Sequence, residues 1–390
     1  MLSFVTRTLS SIRILVLIAA ATLLGACQMD FGGTGPVVNT NAPVPVALLV
    51  PFGSEDGNND VLATSLQNAA QLAVSDLGEV KIDLRVYPTA GTTAGAAEAA
   101  TKAVNEGAKI ILGPVFADAA NAAGSAVASR GVSVLSFSNN TQIAGGNVFV
   151  LGHSFNNTAK RLLEYAATQG VNNVMVVHAD NLTGQVGKAA VQRATSETAT
   201  TFAGAASYQF SQQGVVNAVR DIAEQVRETE ANGLVFASDT AGALPILSEL
   251  LPENRVDPAK VRFMGLTRWD IPTQTLSLKG LQGGWFALPD PSVGGAFKDR
   301  YTTAFGRAPH PLAGIAYDGV AAIGALVKAG GSTPLSKASL TQPSGFAGVD
   351  GIFRLLPDGT NERAMAVVEI ENNQVKVIDP APRSFGVAGF

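Results

Sequence analysis

From Val46 onward the chain keeps one rhythm: a short apolar run, a stretch with apolar residues every three or four positions, then another run. Few folds accommodate that alternation. Val46-Ala47-Leu48-Leu49-Val50 is continuously apolar, as a strand buried on both faces requires, and ends in the loop Pro51-Phe52-Gly53-Ser54. Leu62, Leu66, Ala69, Ala73 and Leu77 then form one buried stripe of a helix that stops at Gly78. Strands are predicted at 82–87, 109–112 and 132–137, with helical stretches near 92–105 and 118–129. Strands alternating with helices imply a parallel sheet covered by helices on both faces.

The pattern then restarts. A short strand at 148–151 leads to a helix near 158–168, followed by strands at 174–177, 207–210, 234–236 and 262–266. Two α/β sets of similar length predict two similar lobes. The rhythm breaks near Gly283-Gly284-Trp285-Phe286, before helices at 296–305 and 312–328. A strand-rich tail follows at 353–355, 365–370 and 375–378, with Pro357-Asp358-Gly359-Thr360 as a hairpin corner between the first two.

Upstream of this body lies a different kind of sequence. Arg7 and Arg13 precede the apolar run 14–26, and Leu24-Gly25-Ala26-Cys27 closes it with the only cysteine. A basic head, a short apolar core and small residues before a cleavage point describe a secretory signal. The run is too short to span roughly 30 Å of hydrocarbon. The four closing residues resemble the bacterial lipobox, which implies a signal peptide at 1–26, acylation of Cys27 and membrane attachment through that lipid. Residues 27–44, rich in Gly, Asn, Thr and Pro, read as a flexible tether.

Composition narrows the function. Removing residues 1–26 lowers the basic count from 27 to 25 against 31 acidic residues, so the remaining chain is acidic. An acidic chain lacks the concentrated basic surface that nucleic acid needs. The three histidines, His153, His178 and His310, stand far apart, so no metal motif is present. No Gly-x-Ser-x-Gly elbow, phosphate-binding loop or dinucleotide fingerprint occurs either. Neither a catalytic residue nor a cofactor is expected, although carboxylates such as Asp180 and Asp239 could meet in space.

Small, hydroxylic and amide residues recur just after the apolar strands. They are Gly113-Pro114-Val115-Phe116-Ala117-Asp118, Ser136-Phe137-Ser138-Asn139-Asn140-Thr141, Asp180-Asn181-Leu182-Thr183-Gly184 and Ser238-Asp239-Thr240. Ligands of open parallel sheets bind outside the carboxyl ends of strands, where helix N-termini favour anions. The same residue types also serve as helix caps. Both readings stand at this point.

Ile110-Ile111-Leu112-Gly113-Pro114-Val115, Gly131-Val132-Ser133-Val134-Leu135-Ser136, Phe263-Met264-Gly265 and Ala316-Tyr317-Asp318-Gly319-Val320 together resemble landmarks of the leucine-binding family of type 1 periplasmic binding proteins. The resemblance implies an α/β fold of two Rossmann-like lobes with parallel central sheets, joined by three crossovers. It implies lobe 1 at 45–150 and 284–331, and lobe 2 at 151–283 and 332–390. It places candidate ligand contacts at Phe52, Phe116, Ala117, Asp118, Ser138, Asn139, Asn140, Asp180, Asn181, Leu182, Asp239, Arg268 and Trp269. Asp118 stands where the family has a serine or threonine, and Leu182 where it often has an aromatic ring. The function implied is non-enzymatic binding of an amino acid or similar small polar solute for an inner-membrane ABC permease. Ser136-Phe137-Ser138-Asn139-Asn140 with Gly145-Gly146-Asn147-Val148-Phe149 also resembles the penicillin-binding protein activator branch of this fold. That branch implies a lipoprotein acting on a peptidoglycan synthase by protein contact, with the outer membrane as the favoured anchor.

Overall fold

A computed structural model describes residues 35–385 apart from Asp239. The predicted signal peptide, Cys27 and the tether as far as residue 34 lie outside the described residues, as does the candidate Asp239. Strand β1 (Val44–Val50) leads into α1 (Gly57–Asp76), β2 (Ile82–Pro88), α2 (Thr93–Asn105), β3 (Ile110–Leu112), α3 (Ala117–Val127), β4 (Val134–Ser136) and β5 (Val148–Val150). These strands form one all-parallel sheet in the order β2-β1-β3-β4-β5. Helices cover both faces, so β1 alternates nothing: Val46 to Val50 are all fully buried. Val46, Leu48 and Val50 pack on one side with Leu62, Leu66 and Ala73 of α1, while Ala47 and Leu49 pack on the other with Ala96 and Ala100 of α2.

The second set comprises α4 (Phe155–Thr168), β6 (Asn173–Ala179), α5 (Leu182–Glu197), β7 (Thr201–Tyr208), α6 (Gln212–Glu228), β8 (Gly233–Ala237), α7 (Ala243–Glu253), β9 (Arg262–Gly265) and β10 (Trp285–Pro289). Helices α8 (Pro291–Phe305), α9 (Ala313–Ala329) and the short α10 (Lys337–Leu340) come next. Strands β11 (Phe346–Gly348), β12 (Gly351–Leu355), β13 (Asn361–Arg363), β14 (Met365–Glu371) and β15 (Gln374–Asp379) complete the chain. The second sheet runs β15-β14-β10-β9-β8-β6-β7; its last two strands in sequence pair antiparallel, the others parallel. Strands β11-β12-β13 make a small antiparallel sheet of their own.

Two lobes and three crossovers are therefore present, but two boundaries fall elsewhere than the sequence reading put them. Trp285–Pro289 belongs to the second sheet, between β9 and β14, not to lobe 1. Conversely, Leu335, Leu340, Phe346, Phe353 and Leu355 are buried in the core of the first lobe with Phe297, Tyr301 and the apolar face of α9. The chain crosses at 151–154, at Asp290, and again between β13 and β14. Strand β7 also begins at Thr201, earlier than the predicted 207, because edge pairing with β6 recruits the small residues Ala203 to Ala206. The Asp358 turn joins β12 to β13, where Asp358 Oδ1 accepts from the Thr360 N–H at 2.9 Å.

Candidate functional site

The crossovers decide which surfaces face each other. Four residues separate the carboxyl end of β5 from the start of α4, and Asp290 alone separates the carboxyl end of β10 from α8. The carboxyl edges of both sheets therefore border the same gap, which is where open α/β sheets hold ligands.

Most strand-end polar residues are turned to local duty. Asn181 caps α5, its Oδ1 accepting from the Gly184 N–H at 2.9 Å. Ser138 is buried and accepts from the Asn140 N–H at 3.1 Å; Asn140 in turn accepts from the Gln142 N–H at 2.9 Å. Asp56, Thr92, Ser154, Ser211 and Asp290 cap their helices in the same manner. The capping reading thus accounts for Asn181, Ser138 and Asn140 in this structure, while Asn139 and Asp180 stay exposed.

Helix α3 differs. Its N-cap is Phe116, which has no side-chain acceptor to offer, so the first N–H groups of α3 point past Ala117 and Asp118 without a capping side chain. An uncapped N-terminus favours a negative group, and exposed Asp118 in the first turn already supplies one.

Apolar groups dominate the remainder. Phe116 is 37% exposed, Leu182 72%, Phe210 67% and Ile271 39%; each follows a strand on the side of the gap. Val61, Val216 and Val293 lie exposed within the first two turns of α1, α6 and α8 at the same edges. Among the described residues only Val37 and Val377 join them as exposed large apolar side chains. Sequence reasoning missed Phe210 and Ile271. Phe210 ends the strand predicted at 207–210 but lies two residues past β7, and Ile271 sits in the irregular segment after β9. Phe52 is half-buried against the first core.

Trp269 is a correction. Its side chain is wholly buried in the second core, between Phe236 and Phe286 with ring centroids 6.3 and 6.0 Å away, so it packs the lobe rather than lining the gap. Gly265 and Gly284 make room for the indole, since a Cβ on either would collide with it. Arg268, one residue earlier, is half-buried and forms a forked pair with Asp270, Nε to Oδ1 at 3.0 Å and Nη2 to Oδ2 at 2.5 Å.

At the junction of the lobes, Asp350 pairs with His153, Nε2 to Oδ2 at 3.2 Å. Burial raises the Asp350 carboxyl, but the bond to His153 and the positive fields of Arg363 and Arg268 outweigh it and hold that carboxyl below the usual range. Burial and the charge of Arg363 push His153 below the ordinary histidine value, against the pull of Asp350. Arg268 thus makes itself felt at the junction as well as at Asp270. Among the described residues no group of three or more His, Cys, Asp or Glu could hold a metal ion, and no helix is long and apolar enough to cross a membrane.

Residues 43–374 match the family model described as "Periplasmic binding protein", and the chain belongs to that family. A search of curated proteins found no match. Among solved structures, a putative branched-chain amino acid ABC transporter protein from Rhodospirillum rubrum is similar, with 17% identity over 86% of this chain and 100% of that one, at a TM-score of 0.71. An ABC transporter substrate-binding protein from Desulfitobacterium hafniense in complex with Leu shows 17% identity over 86% and 100%, TM-score 0.64. A solute-binding protein from Rhodopseudomonas palustris in complex with 3,4-dihydroxybenzoic acid shows 16% over 88% and 97%, TM-score 0.59. These likenesses show the type 1 periplasmic binding fold, two parallel-sheet lobes with a gap between them.

Proposed function

We propose that the protein holds a small carboxylate solute with an apolar body between its lobes and presents it to an ABC-type permease of the inner membrane. The observation that carries this reading is that the exposed apolar side chains Phe116, Leu182, Phe210 and Ile271 all follow strands at the carboxyl edges of the two sheets. Apolar surface left facing a gap gains about 25 cal/mol for each Å² that a ligand covers. The uncapped N-terminus of α3 beside Phe116 supplies donors for a carboxylate. The similar structures with leucine and with 3,4-dihydroxybenzoic acid fit the same description: a carboxylate carried on an apolar frame.

A thermal-shift panel of leucine, benzoate and 3,4-dihydroxybenzoate tests it. A binder present at a hundredfold excess over its Kd adds about 2.7 kcal/mol of stability and raises the melting temperature. Phe116→Glu, which sets a carboxylate at the same helix start, should remove the shift. A panel with no effect, together with recovery of a peptidoglycan synthase alongside the protein, would replace this reading with the activator reading.

The same proposal includes attachment to a membrane facing the periplasm through an acylated Cys27, since Leu24-Gly25-Ala26-Cys27 supports lipid modification. Cys27→Ser should move the protein from the membrane to the soluble periplasmic fraction. Unchanged fractionation would remove the anchor from the picture and leave the cleft reading untouched.

A further inference from the structure

Where the lobes join, four ionisable side chains that the solute-facing loops do not use come together. Asp318 of α9 and Arg363 of β13 have completely buried side chains and meet Oδ2 to Nη1 at 2.8 Å. Arg363 also donates from Nε to the Leu151 carbonyl at 2.7 Å, and its guanidinium lies 4.7 Å over the ring of Phe353. Asp318 Oδ1 accepts from the Val349 N–H at 2.7 Å. The next residue, Asp350, bonds His153 through its side chain, and its carbonyl accepts from the Asp290 N–H at 3.4 Å.

Leu151 and His153 belong to the first crossover, Asp290 is the second, and Arg363 opens the third. The cluster therefore touches all three connections between the lobes, the first and third through side chains and the second through the Asp350 carbonyl. The backbone is cut back to admit it: a Cβ on Gly348 would collide with Asp318 Oδ1, and one on Gly314 with Asp350. Two polar atoms inside the cluster, His153 Nδ1 and Arg363 Nη2, are buried without a partner, so its bonding is incomplete in this arrangement of the lobes.

We propose that Asp318 and Arg363, with Asp350 and His153, are positioning residues that latch the hinge, and that the charge state of this cluster sets how freely the lobes open. The groups facing Asp318 are Arg363 from β13 and Asp350 from the turn between β11 and β12. His153 from the first crossover and Arg268 from the loop after β9 face Asp350 in turn. Burial pushes the Asp318 carboxyl up to about 7; Asp350 adds to that rise, and Arg363 opposes it. Opening the hinge returns this carboxyl to water and towards its ordinary low value, so the packed cluster holds the proton more tightly than the opened one. Falling pH therefore tightens the latch, and rising pH through about 7, which ionises Asp318 in its buried place, loosens it. Asp350, held low, keeps its charge over the same interval, and burial beside Arg363 favours the neutral form of His153. The proton that sets the latch is the one on Asp318.

Hydrogen exchange of the full chain, corrected for the intrinsic effect of pH, reads this directly at about pH 8 and about pH 6. Amides of the crossover segments 150–155, 288–292 and 360–366 should gain about tenfold in protection on acidification, the equivalent of one pKa unit, while the sheet interiors at 44–50 and 173–179 hold theirs. Asp318→Asn, which keeps the shape and cannot take up the proton, should show the same crossover protection at both pH values. Arg363→Lys keeps a cation beside Asp318 but loses the Nε bond to Leu151; it should lower crossover protection at both pH values while keeping the pH response, and it serves if the asparagine variant does not fold. Crossover protection independent of pH in the unmodified protein overturns the proposal. So does a full pH response retained in Asp318→Asn, or sheet interiors that gain protection in step with the crossovers.

Discussion

Replacing Arg363 by methionine should cost about 3–5 kcal/mol of stability near pH 8, because it strands a buried carboxylate. Methionine keeps the stem that packs on Phe353 but abandons both Asp318 and the Leu151 carbonyl. The loss should depend on pH in a definite direction. With its folded value already raised to about 7, Asp318 is largely protonated in acid, where the missing cation matters little. A carboxyl raised on folding favours the folded state while protonated; that contribution is complete below the unfolded value near 4 and is lost as the pH rises through the folded value. Removing Arg363 raises the folded value further, so the gap between the two proteins should widen from about pH 5.5 to about pH 8. Urea unfolding at the two pH values measures it, and a gap that narrows with rising pH would contradict the assignment.

Trp269→Ala should be comparably damaging, about 3–5 kcal/mol, because it empties the centre of the second core. The indole touches Phe236 and Phe286 and lies against two glycines whose backbone cannot close the hole without moving β9 and β10. Trp269→Phe should cost less than about 2 kcal/mol, since the indole N–H is buried without a partner and its removal offsets part of the lost contact. Urea unfolding of both variants separates the two cases. A solute that stabilises the unmodified protein should stabilise Trp269→Ala by the same increment, because the residue packs a lobe and does not touch the gap. Loss of that increment in a folded variant would restore Trp269 to the ligand contacts.

Much of the molecule was legible before any coordinates. Buried parallel strands need uninterrupted apolar runs, and the runs at 46–50, 110–112 and 234–236 mark strands directly. The strand-end loops were legible for the same reason, since the carboxyl edge follows automatically from strand direction. Phe116, Ala117 and Asp118 follow β3, Leu182 follows β6 and Arg268 follows β9. Strand β7 was obscured because Thr-Phe-Ala-Gly-Ala-Ala carries little strand propensity of its own.

The hinge cluster was not legible, although one signal pointed to it. Asp318 is the only acidic residue in the apolar helix α9, a placement that needs a buried partner. Its partner lies 45 residues away. Choosing Arg363 over the other cations of the chain depends on how three separate crossovers meet.

Local pattern alone therefore established the α/β alternation, the two lobes, the parallel strands and the strand edges that border the gap, because burial on two faces and strand direction leave their mark in consecutive residues. Tertiary structure decided which sheet β10 joins, where the chain crosses for the third time, that Trp269 fills a core, and which charges meet at the hinge. Each of those outcomes is a pairing between distant segments. An apolar strand, a tryptophan or an arginine has the same local signature whichever partner it finds.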